Sequence, residues 1–140
     1  MEIWKTIESS PNYEVSNFGS VRNITTGKIL KIATNNHGYK LVCLSNKTKK
    51  QTGYIHRLVA EAFIDTNLDT RISVVNHIDG NKNNNSIKNL EWASYSNNVK
   101  HGRARLKIKA EQASVLLNLL EQMDLDQIDK VVKYCKNISQ

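Results

Sequence analysis

Cysteine and long apolar runs are both scarce in this sequence, and each absence excludes a class of protein. Cys43 and Cys135 are the only cysteines among 140 residues. Neither belongs to a C-x-x-C pair, so the usual signature of a structural zinc site is missing, and a reduced intracellular protein is the simpler interpretation. No apolar run is long enough for a signal peptide or a membrane span. We therefore expect a soluble cytoplasmic protein, in the host cell if a phage encodes it, with no membrane partner.

Lysine and arginine outnumber aspartate and glutamate, and the formal net charge is +7. Residues 111–140 carry five acids and three bases, a net −2, which leaves +9 on residues 1–110. Such an excess favours a polyanionic partner, because each lysine or arginine placed near a phosphate releases condensed counterions. A basic protein that is merely soluble is the alternative. The length of the chain suits one compact domain with an appendage.

The first fifty residues alternate apolar and polar side chains between turn-forming Asn and Gly residues, which predicts a small antiparallel sheet. The predicted strands are Tyr13–Ser16, Ser20–Asn23, Lys28–Lys31 and Tyr39–Leu44. Seven cations on the turns and edges of this sheet could follow a phosphate backbone: Arg22, Lys28, Lys31, Lys40, Lys47, Lys49 and Lys50. The alternative is that they only discourage edge-to-edge strand pairing.

From Tyr54 the apolar period becomes helical, and His56 stands at the entrance of this helix, where packing or capping is a commoner role than ligation. Residues 72–75 return to strand. The tail from Lys107 is helical again, with a break at residues 123–126 where Asp124 or Asp126 can cap a second helix. These two amphipathic helices suit a packing hairpin, self-association or a helix-turn-helix contact with DNA. Their net acidity favours packing or self-association.

The segment from Val75 to Trp92 is unusually rich in amides, which few core-forming segments would tolerate. On a strand that ends at His77, the side chains of Asn76 and His77 point to opposite faces. The Asp79-Gly80 bend therefore sets their relative orientation. Residues 86–89 suit one capped helical turn, and residues 90–93 a returning strand.

Ser94 can cap the next helix, on which Asn98, His101 and Arg105 share one face. Strand, loop, strand and helix thus present a histidine and a helical amide to the same space. A metal-assisted phosphodiesterase needs this layout, with a base for water and oxygen ligands for a hard cation beside the phosphate.

Residues 56–63, 75–82 and 89–92 resemble the HNH nucleases of phage and intron homing endonucleases. Trp4 and the stretches 13–19, 21–22 and 38–39 resemble the DNA-binding module that often precedes that nuclease domain. The motifs occur in the right order and together span residues 1 to 102.

The resemblance implies that His77 is the general base, that Asn76 and Asn98 coordinate a divalent ion, Mg²⁺ or Mn²⁺, and that Asn89 orients the loop holding His77. Position 76 is often aspartate in such nucleases, and asparagine is a neutral, weaker ligand. Asp79 is the nearest carboxylate that could compensate, although we expect it to stabilise the turn. His101 could contact the metal or a phosphate, or it is simply an exposed histidine near Gly102.

We therefore predict an α+β fold with a small antiparallel N-terminal sheet, a ββα-metal nuclease unit and C-terminal amphipathic helices. The predicted boundaries are a DNA-binding module at 1–52, the HNH domain at 53–105 and the helical tail at 106–140. The predicted function is site-specific, metal-dependent cleavage or nicking of double-stranded DNA by a homing endonuclease, as a monomer or homodimer, with Asn89 and Asn98 assisting His77 in catalysis. A DNA-binding regulator with a degenerate, non-catalytic HNH fold is the alternative. The candidate DNA contacts are Arg22, Lys28, Lys31, Lys40, Arg57, Lys82, His101 and Arg105.

Overall fold

A computed structural model describes residues 1–45 and 50–138, and it confirms the mixed α+β architecture. The predicted cations Lys47 and Lys49 and the side chain of Cys135 lie outside the described part of the chain. The chain divides into two compact units, residues 1–99 and residues 100–140. No helix in the described ranges is long and apolar enough to cross a membrane.

Short strands form three antiparallel sheets in the described residues of the first unit. The first sheet contains β1 (Trp4–Thr6), β2 (Tyr13–Ser16) and β3 (Val21–Asn23). The second contains β4 (Ala33–Thr34), β5 (Lys40–Ser45) and β6 (Lys50–Tyr54). The third is the hairpin of β7 (Val74–His77) and β8 (Leu90–Ala93). The helices are α1 (Ile55–Phe63), α2 (Tyr95–Glu121) and α3 (Leu125–Ile138), and a 3-10 turn spans Ile87–Asn89.

Helix α1 lies at the centre of the first unit and packs against strands from all three sheets. Its residues Ile55, Leu58 and Val59 are buried because the helical period places them on the faces turned to these strands. Each such side chain contributes roughly 1.5–3 kcal/mol of hydrophobic stabilisation. The shared core also takes residues from every sheet: Ile7, Tyr13, Val15, Val21, Val42, Leu44, Val75 and Leu90. The amino-terminal strands and the amide-rich hairpin are therefore parts of one folded unit.

A turn at Gly19 joins the first sheet to the loop of the third. Gly19 has φ +90, and a Cβ there would lie 2.9 Å from Cγ2 of Ile55, so only glycine fits without strain. The neighbouring carbonyl of Asn17 accepts a hydrogen bond from the backbone N–H of Ile87 at 2.9 Å. This turn ties the amino-terminal sheet to the segment that carries the candidate chemistry.

The predicted strand at residues 28–31 is wrong, since this stretch makes only an isolated bridge between Ile29 and Arg22. The Asn23 side chain accepts hydrogen bonds from Thr26, and Gly27 has φ +68, so the chain turns too tightly for a full ladder. Strands β1, β4 and β6 were not predicted. Strand β6 lacks an apolar pattern and is recruited by its pairing with β5.

Helices α2 and α3 begin where capping residues predict, but α2 is longer than predicted. Ser94 Oγ accepts the backbone N–H of Asn97 at 3.3 Å, which confirms Ser94 as the cap of α2. Helix α2 continues through Lys107, where a separate helix was expected. Asp124 caps α3, because its Oδ1 accepts the N–H of Gln127 at 2.8 Å.

Candidate active site

Asn76 and His77 are neighbours in β7, and both are buried, with 3% and 5% of their surface exposed. Consecutive residues in a strand point to opposite faces, so β7 is covered on both sides. Across the hairpin, Asn76 pairs with Glu91 and His77 with Leu90. The strand ends at His77, as predicted.

The bend after His77 is closed by Asp79. Its carboxylate accepts hydrogen bonds from the backbone N–H of Asn81 at 2.6 Å and from the side-chain amides of Asn84 and Asn89, both at 2.9 Å. These bonds, chiefly the one from Asn81, lower the pKa of Asp79. Gly80 supplies the left-handed position of the turn, with φ +75. Asp79 therefore stabilises the turn, as expected.

Asn89 links the returning strand to this loop. Its Oδ1 accepts the backbone N–H of Asp79 at 3.0 Å, and its Nδ2 donates to the carbonyl of Asn84 at 2.8 Å. Its own backbone carbonyl accepts the N–H of Ile78 at 2.8 Å. The buried Asn89 thus holds both ends of the segment that follows His77.

Asn85 decides which nitrogen of His77 carries hydrogen, and sequence reasoning gave it no role. Its Nδ2 donates to the backbone carbonyls of Lys82 at 3.3 Å and Asn83 at 3.2 Å. Because those carbonyls can only accept, Oδ1 of Asn85 is turned to Nε2 of His77, at 3.2 Å. Two acceptors cannot pair, so Nε2 carries a hydrogen, and in the neutral ring the lone pair lies on Nδ1.

A second histidine lies against His77. The ring centroids of His56 and His77 are 5.3 Å apart, and the Tyr39 ring lies 5.1 Å from that of His56. Burial, with smaller electrostatic contributions from His77 and Arg57, lowers the pKa of His56 to about 4. His56 is therefore a neutral, buried packing residue, as its position at the start of α1 suggested. Its Nδ1 is the one buried side-chain polar atom without a hydrogen-bond partner in the described part of the chain.

Asn76 contacts a carboxylate that sequence reasoning also missed. Its Nδ2 donates to Oε1 of Glu91 at 2.6 Å, directly across the hairpin. The signal was present in the sequence, because two antiparallel strands joined by a defined loop fix which side chains face each other.

The remaining predicted site residues lie on α2. Asn98 is half-buried in the first turn, where its backbone N–H bonds the carbonyl of Ser94 at 3.0 Å. The first compact unit ends at Val99, so His101 and Arg105 belong to the second unit. Contacts of His101 and Arg105 with DNA or metal stay predictions.

Comparison with known proteins accounts for this geometry. Two family models match the chain, a NUMOD4 motif over residues 2–45 and an HNH endonuclease over residues 53–100. DNA endonuclease I-HmuI of Bacillus phage SP01 is 35% identical over 120 residues, which make up 85% of this chain and 68% of that protein. The chain belongs to the HNH homing endonuclease family. A solved structure, described as DNA binding and cleavage by the HNH homing endonuclease I-HmuI, is 37% identical with a TM-score of 0.69, and the match covers 83% of this chain and 68% of that chain.

Longer HNH proteins are also similar. The uncharacterized HNH endonuclease L245 of Acanthamoeba polyphaga mimivirus is 47% identical over 98 residues, 70% of this chain. Its counterpart L247 is 48% identical over 103 residues, 71% of this chain. The chain spans only 29% and 26% of the length of these two relatives.

This HNH hairpin offers oxygen donors to a metal ion. Within residues 1–45 and 50–138, no three His, Cys, Asp or Glu side chains lie together as a metal-binding group. The amide of Asn76 presents nitrogen to Glu91, so its oxygen is the atom that could ligate an ion. Amide and carboxylate oxygens suit hard ions such as Mg²⁺ and Mn²⁺, whose remaining positions are filled by water and substrate phosphate. The residues present fit such an ion.

Two of the predicted DNA-contacting arginines of this HNH chain also hold the fold together. Arg57 donates to the backbone carbonyl of Thr70 at 2.7 Å and lies 5.5 Å from the ring centroid of Trp92. Arg22 pairs with Glu14 at 2.8 Å. Their contact with DNA stays a prediction.

The lysines predicted to contact DNA differ in how their side chains are held by the rest of the fold. Lys82 donates to the backbone carbonyl of His37 at 2.8 Å and lies 4.3 Å from the ring centroid of Tyr39, so it joins the His77 loop to the second sheet. The other lysines reach the surface of the amino-terminal half: Lys28, Lys31 and Lys40.

Proposed function

We propose that this chain is a divalent-metal-dependent DNA endonuclease of the homing type, which hydrolyses a phosphodiester bond at a recognised site. The observation that carries the proposal is the buried His77, whose Nε2 is held by Asn85 and whose lone pair is therefore on Nδ1. A neutral imidazole held in one tautomer is a suitable general base near physiological pH.

His77 would take a proton from the attacking water at Nδ1. As the ring becomes positively charged, its Nε2–H donates more strongly to Asn85 Oδ1, which stabilises the protonated form. Asn85 can keep this orientation because two backbone carbonyls hold its Nδ2. Asn89 would act as a positioning residue, since its hydrogen bonds hold the loop on which Asn85 lies.

Asn76 and Asn98 would hold the divalent ion through their amide oxygens. When bound, the ion would neutralise charge that develops on the phosphate and on the leaving oxygen. Two neutral amides make a weak site, so we expect the DNA phosphate to complete it and to raise the metal affinity. Mg²⁺ and Mn²⁺ both suit this donor set.

Double-stranded DNA is the proposed substrate. The basic excess of residues 1–110 supports binding to a phosphate backbone. In this proposal residues 1–52 form the DNA-binding module, residues 53–105 the nuclease domain, and residues 106–140 a helical tail for packing, self-association or DNA contact. The similarity to I-HmuI, whose solved structure is described as DNA binding and cleavage, supports DNA as the substrate.

Incubation of a supercoiled plasmid library with the protein and Mg²⁺ or Mn²⁺ tests the proposal. We expect nicked circles that disappear with EDTA and with His77→Ala, since a general base typically contributes about 10²- to 10⁴-fold. His37→Ala is the matched control, because His37 is an exposed turn residue, and it should cleave at the wild-type rate. Linear product would indicate a homodimer or a second nicking event.

Undiminished cleavage by His77→Ala would remove His77 from the mechanism. DNA binding without cleavage under either metal would instead support the regulator alternative. Electrophoretic mobility shifts with the same plasmid fragments distinguish these two outcomes, because they report binding independently of strand scission.

A further inference from the structure

We propose that Glu91 is a positioning residue for Asn76: it turns the amide oxygen of Asn76 toward the metal position and polarises it, so that a neutral side chain serves where a carboxylate often stands. This inference rests on the proposed function in one respect, that position 76 binds the divalent ion. It adds a residue to which neither the motif pattern nor the resemblance gave a role.

The register of the hairpin places the two side chains together. Asn76 and Glu91 are directly opposed in β7 and β8, and opposed residues of antiparallel strands have their Cβ atoms about 4.5–5.5 Å apart on the same face. Asn76 is 3% exposed, and Glu91 is half-buried. The amide therefore has little room to change its partner.

The contact also fixes the orientation of the amide. A carboxylate has no hydrogen to donate, so the atom of Asn76 that faces Oε1 of Glu91 at 2.6 Å must be Nδ2. The amide oxygen lies on the other side of Cγ and faces away from Glu91. Without the carboxylate, an asparagine could present either its oxygen or its nitrogen to a cation, and the nitrogen would repel it.

The same contact makes the amide oxygen a better ligand. Hydrogen bonds to an ionised acceptor are roughly twice as strong as neutral ones. Such a bond polarises the N–H bond of the amide and shifts electron density through the amide toward Oδ1. Neighbouring hydrogen bonds polarise one another in the same way. Groups that orient a metal ligand typically change metal affinity by about 10- to 100-fold.

The proposal makes the effects of positions 76 and 91 depend on each other. An aspartate at position 76 has two equivalent oxygens and its own charge, so it needs no orientation. The Glu91 carboxylate, directly opposite, would repel an aspartate at position 76. Loss of the Glu91 carboxylate should therefore weaken metal binding when residue 76 is asparagine and should not weaken it when residue 76 is aspartate. A direct metal ligand, or a charge acting at a distance, would lose affinity in both backgrounds.

A double-mutant cycle with Mn²⁺ tests this, with free Mn²⁺ measured by electron paramagnetic resonance in the absence of DNA. The protein is used at concentrations high enough to populate a weak site. We expect Glu91→Gln to weaken Mn²⁺ binding about tenfold in the Asn76 chain. In the Asn76→Asp chain, the same change should leave Mn²⁺ affinity equal or higher, because it removes the repulsion between two opposed carboxylates. Glu14→Gln is the matched control, because Glu14 is a half-buried strand carboxylate in another sheet, and it should bind Mn²⁺ like the wild type.

Glu91→Asp separates orientation from charge. It keeps the negative charge but withdraws it by one methylene from Nδ2 of Asn76, so the orienting bond is lost and affinity should again fall about tenfold. Both variants at position 91 are compared with the wild type by near-ultraviolet circular dichroism, which reports whether the hairpin around Trp92 is intact.

The outcomes separate the two proposals. Equal Mn²⁺ affinity of Glu91→Gln and wild type, or equal losses in the two backgrounds, would overturn the role of Glu91 while leaving the endonuclease proposal intact. A wild-type chain that neither binds Mn²⁺ nor nicks plasmid would overturn metal ligation at position 76 itself, and with it both proposals.

Discussion

Acid should destabilise this protein through His56, and the size of the effect follows from its surroundings. His56 is 9% exposed and contacts Tyr39 and His77, and its Nδ1 has no hydrogen-bond partner. The unfolded chain accepts a proton at the ordinary pKa of 6.5, whereas burial lowers the pKa of the folded ring to about 4. The stability that depends on a neutral His56 is therefore fully present above pH 6.5, and it is lost as the pH falls from 6.5 toward about 4.

The magnitude follows from linkage. Between about pH 7.5 and about pH 5, proton uptake by the unfolded chain at this one residue lowers the free energy of unfolding by about 2 kcal/mol. The corresponding fall in Tm is roughly 7 °C for a chain of this size. Urea denaturation at the two pH values measures the difference directly.

His56→Phe isolates this contribution. The phenyl ring keeps the packing against Tyr39 but cannot take up a proton, so its stability should vary less with pH, by the same amount of about 2 kcal/mol. Near neutral pH the variant should be at least as stable as the wild type, because a buried unpartnered nitrogen is removed. His37→Gln, at an exposed turn, is the control and should keep the wild-type slope.

An unchanged pH dependence in His56→Phe would refute the reasoning. A nuclear magnetic resonance titration of the wild-type ring provides a check that needs no variant. A His56 resonance that titrates near its ordinary value, rather than near about 4, would show that burial does not control this residue.

Three further changes test the structure at other points. Gly19→Ala should destabilise the first unit by about 2 kcal/mol in urea denaturation, because a methyl group meets α1 and the backbone has φ +90; unchanged stability would contradict the close packing of this turn. Ser94→Ala should cost about 1 kcal/mol through loss of the α2 cap, with lower helicity by circular dichroism; Ser114→Ala, at an exposed position in the middle of the same helix, is its control. Asn85→Ala should slow plasmid nicking by about tenfold, since His77 loses its orienting acceptor, whereas Asn83→Ala in the same loop should not; equal rates would exclude Asn85 from positioning the base.

Family membership places His77 among motifs whose order can be read along the chain, but the support of the site is specific to the fold. Amide side chains hold the loop after β7: Asn85 bonds His77, and Asn84 and Asn89 bond Asp79. Amides suit this role because they can donate and accept at once and so satisfy a tight loop. Replacement by apolar residues would leave backbone groups unsatisfied.

The sequence by itself determined the features that depend on local chemistry. Turn residues and alternation located β2, β3, β5 and β8, and the capping serine at position 94 located the start of α2. The motif spacing singled out Asn76 and His77 as candidate site residues. Each of these signals spans only a few residues, so it can be read from the sequence without knowledge of packing.

Tertiary structure alone decided what lies beside these residues. The contact of His56 with His77 joins positions 21 apart in sequence and depends on how α1 packs against the hairpin, and the Asn76–Glu91 contact depends on strand register. Strand β6 exists because β5 pairs with it, and residues 28–31 make only a single bridge to β3 because the tight turn at residues 23–27 comes directly before them. Pairing and burial are long-range effects with free energies larger than local propensity, and they decide wherever the local pattern is weak.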